Sequence, residues 1–341
     1  MKRWASIFVA ALLCLSATDG IIVAVCDKYM EDFYPALAWL RLVQKCTLPI
    51  EVWHAGDELS LQAKQDLLRF GNLTFCDIAK QREKDPQEFR GYQIKPYILQ
   101  ETKFDRVILM DADIYLFLDP ADLFELSQFR ETGAFFFRDT DNKRYVSPNS
   151  RHPRMYPYHV YESRKKLLQE YIQHPSPYLP KEWLYFWTGP DPTDEHPQPA
   201  EFMESGLVVI DKQRHVRGIQ EIVKINEDWR RVYQILLGDK DTFWIGLEIA
   251  KEPYSVNQKI PYRLYGGRKF ARETNKKIDL VHHVNGRLVF QQKSPIEIGK
   301  SPYYTYRWHA NSDEKLSAED LESFCTLRYF FKLFSYPKSH V

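Results

Sequence analysis

Apolar strands and amphipathic helices alternate at the start of this 341-residue chain, and that alternation constrains its fold more than any other feature. "IIVAVCD" (21–27) is an apolar run of strand length, and "FYPALAWLRLVQKC" (33–46) carries its apolar residues at helical spacing. "PIEVWHAG" (49–56) reads as a second strand, "LSLQAKQDLLRFG" (59–71) as a helix closed by Gly71, and "LTFCDIA" (73–79) as a third strand. Strand, helix, strand, helix, strand within eighty residues predicts an α/β fold: a Rossmann-like, mostly parallel sheet with helices on both faces. Further on, "GYQIKPYILQET" (91–102) reads as a short helix. "GAFFFRD" (133–139) and "FMESGLVVIDK" (202–212) read as strands, the latter followed by a helix to about Leu237. "DKDTFWIGLEIAK" (239–251) reads as a helix capped by Asp239 or Asp241. "DLVHHVNGRLVF" (279–290) is a strand broken at Asn285-Gly286. Prolines crowd residues 140–200, which predicts an irregular insertion lying over the active site as a lid.

The first twenty residues differ in kind. Lys2 and Arg3 precede an apolar run from Ala5 to Leu15, the layout of a secretory signal peptide. The run is short of the ~20 residues that a membrane span needs. Cleavage is expected near Gly20, with a short signal anchor as the competing reading, and 21–341 as a single domain. Asn72-Leu73-Thr74 is a glycan acceptor sequon, in keeping with a secretory route. The five cysteines (Cys14, Cys26, Cys46, Cys76, Cys325) lack zinc spacing. Cys46 and Cys76 could pair in an oxidising lumen, or all could be buried thiols. A net charge of +1 offers no basic footprint for nucleic acid. The 15% aromatic content suits sugar binding as well as core filling.

The chemistry concentrates in "RVILMDADIYLFLDP" (106–120). Side chains alternate along a strand, so Asp111 and Asp113 point the same way while small Ala112 points the other. Ligands of open parallel sheets bind beyond the carboxyl ends of the strands, where this pair falls. Two carboxylates side by side repel unless a cation lies with them. Hard oxygen ligands suit Mn2+ or Mg2+, which in turn hold phosphates.

With these residues in view the chain resembles a known family. "RGYQIKPYILQETKFDRVILMDADIYLFLDPADLFE" (90–125), "FMESGLVVIDK" (202–212), "LLGDKDTFWIGL" (236–247) and "HHVNG" (282–286) occur in one order. "LPIEVWHAGDELS" (48–60) adds a second-strand block. Together they resemble the retaining α-mannosyltransferases of glycosyltransferase family 71 and, more widely, glycogenin-like family 8. The resemblance spans about residues 21–290 and implies a GT-A fold.

The resemblance also implies roles. Asp111 and Asp113 would hold the metal, with His283 of His-x-x-Gly (or its neighbour His282) as the third ligand. Lys95 would meet the diphosphate of the donor. Glu204, Ser205 and Gly206 would lie beside the donor sugar. Asp239 would stand near the transferred sugar, with Asp241 as an alternative or a cap. Lys240 stands where family 8 usually has Gln. "RLVFQQK" replaces the family 8 Lys-Pro-Trp, which offers Arg287 or Lys293 for phosphate. These departures favour GDP-mannose over a UDP-sugar as donor. The implied activity is metal-dependent transfer of a hexose to a glycan or glycoprotein acceptor in the Golgi lumen or at its membrane.

Two rivals remain open at this stage. An aspartate-nucleophile phosphatase also uses Asp-x-Asp, but wants Thr or Val where Tyr115 stands and an Asp where Phe243 stands. A non-catalytic glycan-binding member of the fold is the other, since fold does not fix activity.

Overall fold

A computed structural model describes residues 18–89, 91–139, 158–183, 203–236, 238–259, 261–264, 279–292 and 317–334. The expected leader falls almost wholly on residues outside these ranges, as does much of the expected lid. Strands β1 (Asp19–Ala24), β2 (Ile50–His54), β3 (Leu73–Asp77) and β4 (Arg106–Met110) run parallel in the order β3-β2-β1-β4. A short β5 (Ile114–Leu116) follows, then β6 (Ala134–Arg138), β7 (Met203–Asp211) and β8 (Ser255–Asn257). β7 is antiparallel to both β4 and β6, and β8 is parallel to β6, which completes a seven-stranded sheet ordered β3-β2-β1-β4-β7-β6-β8. This is the mostly parallel, Rossmann-like sheet that the alternation predicted.

Among the described residues the helices are α1 (Met30–Ala38), α2 (Leu61–Leu68), α3 (Ile78–Arg82), α4 (Ile94–Glu101), α5 (Ser127–Thr132), α6 (Tyr158–Tyr171), α7 (Val216–Glu227), α8 (Trp229–Ile235), α9 (Thr242–Ala250) and α10 (Ala318–Leu333). Two cores flank the sheet. Ile22, Leu109 and Val208 pack toward Ile98, Ile222 and Trp244, while Ile21, Ile108 and Val209 pack toward Phe33, Leu37 and Phe124 on the other face. Alternation along each strand divides the side chains between these faces. No helix among the described residues is long and apolar enough to cross a membrane.

Several expectations change. The helix expected at 33–46 begins at Met30 and passes at Trp39 into a π-helical turn over Trp39–Val43. The segment expected to be irregular contains α6, whose own sequence holds no proline; Pro175, Pro177 and Pro180 follow it in the chain. The broken strand at 279–290 is a hairpin, β10 (Asp279–Val284) and β11 (Arg287–Gln292), turned at Asn285 and Gly286, both with positive φ. With β5 and β9 (Tyr262–Leu264) it forms a second sheet, ordered β5-β11-β10-β9. Cys26, Cys46, Cys76 and Cys325 are all free thiols, so Cys46 and Cys76 do not pair. Asn72 of the sequon is exposed between α2 and β3.

Candidate active site

The site forms at the carboxyl end of β4. Because β7 runs antiparallel, its first residues stand beside the last residues of β4: Met110 is opposite Leu207, and the Asp111 N–H donates to the Gly206 carbonyl at 2.9 Å. Glu204-Ser205-Gly206 and Asp111 therefore share one sheet edge. Asp139, just past β6, reaches the same edge, since Arg138 is opposite Met203. The second residue of α4 is Lys95, and the turn before α9 carries Asp239 and Lys240. Gly238 opens that turn in the left-handed region, φ +68°, which a side chain would strain.

Lys95 ties the parts together. Its ammonium lies 2.9 Å from Asp111 Oδ1, 3.0 Å from Asp239 Oδ2, and 3.2 Å from both the carbonyl and the hydroxyl oxygen of Ser205. Ser205 Oγ in turn donates to Asp239 Oδ1 at 3.4 Å. Burial disfavours the lysine charge, but Asp111 and Asp239 outweigh it and hold its pKa above the ordinary value. Asp239 is buried, and burial pushes its carboxyl up while Lys95 pulls it back. So Lys95, expected at a diphosphate, here neutralises two carboxylates, and Asp239 is fixed by charge pairing.

Among the described residues, no cation is paired with Asp113. Densely surrounded although partly exposed, it is pushed up to about 7 by burial, then by Asp111, Asp32 and Glu204. A group of acids that opposes its own ionisation is a place where a divalent cation fits. Asp111 and Asp113 supply hard oxygens for it. His283 lies on β10 with Nε2 3.1 Å from Asp320 Oδ2. That carboxylate also accepts the Ser317 N–H, so it acts as an acceptor and Nε2 donates. In the neutral ring Nδ1 then carries the lone pair, the form that a metal ligand requires. Among the described residues, no three His, Cys, Asp or Glu side chains are already closed into a metal-holding set.

The remaining expected residues divide. Glu204 is buried, with Oε1 accepting from Gly206 N–H at 2.8 Å and Oε2 3.3 Å from Lys240; burial raises its pKa and Lys240 opposes that. Asp241 is buried and accepts from the Met203 N–H at 3.2 Å and the Trp244 indole at 2.9 Å. It ties α9 to β7 and makes no side-chain cap, so the expected capping is absent. His282 is stacked on Phe290, with ring centroids 4.2 Å apart, and burial drives its pKa down to about 3. Arg287 sits on the exposed hairpin turn, where it pairs with Asp122 at 3.3 Å. Lys293 lies outside the described residues. Sequence reasoning missed Asp139, although it ends an apolar strand in the same way as Asp111.

The family model described as "Mannosyltransferase putative" matches residues 18–282. The α-1,3-mannosyltransferase MNT2 of Saccharomyces cerevisiae is 25% identical over 275 residues, covering 71% of this chain and 44% of the relative. MNT3 of the same yeast, also an α-1,3-mannosyltransferase, is 22% identical over 263 residues, covering 71% and 39%. Core-mannan synthase A of Aspergillus fumigatus, solved in a Mn/GDP form, has a TM-score of 0.46 and 12% identity, covering 95% of this chain and 87% of that one. The chain spans less than half the length of the curated relatives named here. A match that runs from the first described residue into β10, ending at His282, takes in well over half of the sequence, and the chain belongs to this mannosyltransferase family.

Proposed function

We propose that this chain is a metal-dependent, retaining glycosyltransferase that moves mannose from GDP-mannose to a glycan acceptor in the secretory pathway, within the Golgi. The observation that carries the reading is the convergence of Asp111, Asp239 and Ser205 on Lys95 at the carboxyl end of the sheet. The family membership supports the sugar, and the names of the relatives make an α-1,3 linkage the first to test.

Asp111, Asp113 and His283 would hold the cation. The chemistry that Mn2+ or Mg2+ would supply when bound there is Lewis-acid neutralisation of the departing diphosphate. The protein's own groups do the rest. Lys95 keeps Asp111 and Asp239 in fixed orientation, so neither must reorganise as the donor binds. Asp239 and Glu204 present carboxylates to the positive charge that grows on the sugar ring as the glycosidic bond breaks. Ser205 and Gly206 line the strand edge against which the sugar would lie. Attack from the front face, with retention, is the course the family resemblance implies.

A panel of nucleotide sugars incubated with Mn2+ and a mannoside acceptor tests this. Transfer should be greatest from GDP-mannose and abolished by EDTA and by Asp113→Ala. Greater turnover of UDP-glucose would favour the family 8 reading. Binding of mannosides without any donor turnover would favour a non-catalytic role.

A further inference from the structure

Two lysines reach into this carboxylate-rich edge, and only Lys95 has so far been given work. Lys240 follows Asp239 in the turn, at the place where family 8 usually has Gln. Its ammonium lies 2.6 Å from Asp139 Oδ2 and 3.3 Å from Glu204 Oε2. The two carboxylates are 2% and 1% exposed, whereas the lysine side chain keeps 21% of its surface. They come from paired strands, Asp139 from the end of β6 and Glu204 from the start of β7. Like charges buried this close repel, and a cation shared between them turns repulsion into an ion cluster. A neutral glutamine could not balance two carboxylates.

The His282 ring packs edge-on against Phe137 and flat against Phe290. Asp111 faces Glu204 from the end of β4 and adds negative charge. The other oxygen of Glu204 is already held by the Gly206 N–H.

We propose that Lys240, seated on Asp139, is a positioning residue that clamps the Glu204 carboxylate in one orientation at the reaction centre. This rests on the function proposed above. A carboxylate meant to stabilise charge on a sugar ring is effective only if it is already aimed there. Without Lys240, Glu204 keeps the Gly206 N–H and loses the cation that opposes the charges of Asp139 and Asp111.

The test is a four-protein cycle: wild type, Lys240→Met, Glu204→Gln and the double variant, with Lys240→Arg as the conservative control. Lys240→Met should lower kcat about a hundredfold while KM for the donor stays within about twofold, as expected for lost orientation. Lys240→Arg should recover most of the loss. Adding Lys240→Met to Glu204→Gln should cost nothing further in kcat. Multiplying losses, an arginine no better than methionine, or a change confined to KM would overturn the proposal. Melting temperatures of the same proteins need no substrate: loss of Lys240 should destabilise wild type more than it destabilises Glu204→Gln. Additive melting losses overturn the clamp whatever the sugar. Non-additive losses in a wild type that transfers no mannose overturn only the functional reading. Lys240→Gln takes the place of Lys240→Met if the latter does not fold.

Discussion

Asp113 is disfavoured as an anion by burial and by Asp111, Asp32 and Glu204, and its pKa stands near 7, against 3.8 for the free side chain. The folded value is raised above the unfolded one. The stability it contributes is therefore full below about pH 4 and is lost as pH rises through about 7. At pH 8 Asp113→Asn should melt above wild type by roughly 2–4 °C, the shift that about 1 kcal/mol produces in a domain of this order of size. The gap should close toward pH 4, and Mn2+ should raise the melting temperature of wild type but not of the variant. An Asn variant that melts lower at pH 8 would show that the charge is compensated. Asp239→Asn behaves differently, because it breaks a buried ion pair with Lys95. It should lower the melting temperature and also reduce turnover on the order of a hundredfold, with nucleotide affinity near wild type by calorimetry. Asp241→Asn should lower the melting temperature and leave turnover of the folded enzyme intact, since Asp241 contacts Met203 and Trp244 only through structural bonds. The Asp-x-Asp pair was legible because it ends an apolar strand. The role of Asp139 was not, because its partner Lys240 is 101 residues away in the chain and only the antiparallel insertion of β7 brings the two to one edge.

At the scale of elements, the alternating strands and helices of the first hundred residues were legible, while the shortest strands and the helices α6 and α10 were not. β5, β8 and β9 have three residues each, too few to show alternation, and exist only because neighbouring strands offer hydrogen bonds. α10 was missed although it carries a readable start signal: Ser317 accepts from Asp320 N–H at 3.0 Å, and the Asp320 carboxylate accepts from Ser317 N–H. The same carboxylate reaches His283 across to β10, so the helix start and the hairpin are coupled through one side chain. Ser317→Ala should weaken the cap alone, lowering the melting temperature by a few degrees at about 1 kcal/mol per cap. Asp320→Ala should do that and also weaken Mn2+ binding in the presence of GDP about ten- to a hundredfold, because the histidine loses its orienting acceptor. Equal Mn2+ affinity in the two variants, measured by calorimetry, would separate Asp320 from the metal.

For the molecule as a whole, the start of the described fold bears on where a leader would end. The small residue Gly20 suggested cleavage beside it, yet the structure gives it another reason to be small: a Cβ there would lie 2.3 Å from the Phe104 ring. β1 already begins at Asp19, which pairs in register with Arg106 and receives both the Nε and an Nη of its guanidinium. Thr18 precedes it, donating its N–H to Asp105 at 3.0 Å and accepting from the N–H groups of Asp105 and Arg106 at 2.8 and 3.2 Å. These contacts close the edge between the first strand and β4, the strand that delivers Asp111. A chain cut before Ile21 would lose all of them and leave Arg106 without its carboxylate. If the leader is removed in a secreting cell, the new N-terminus should therefore lie at or before Thr18, with a glycan on exposed Asn72, both read by mass spectrometry of the secreted product. Made directly, a chain beginning at Ile21 should melt several degrees below one beginning at Thr18, since a partly exposed bidentate pair and three backbone bonds together amount to about 2 kcal/mol or more. Equal melting of the two, or a secreted product that begins at Ile21 and is fully stable, would show that these contacts are dispensable and that β1 is anchored by its apolar face alone.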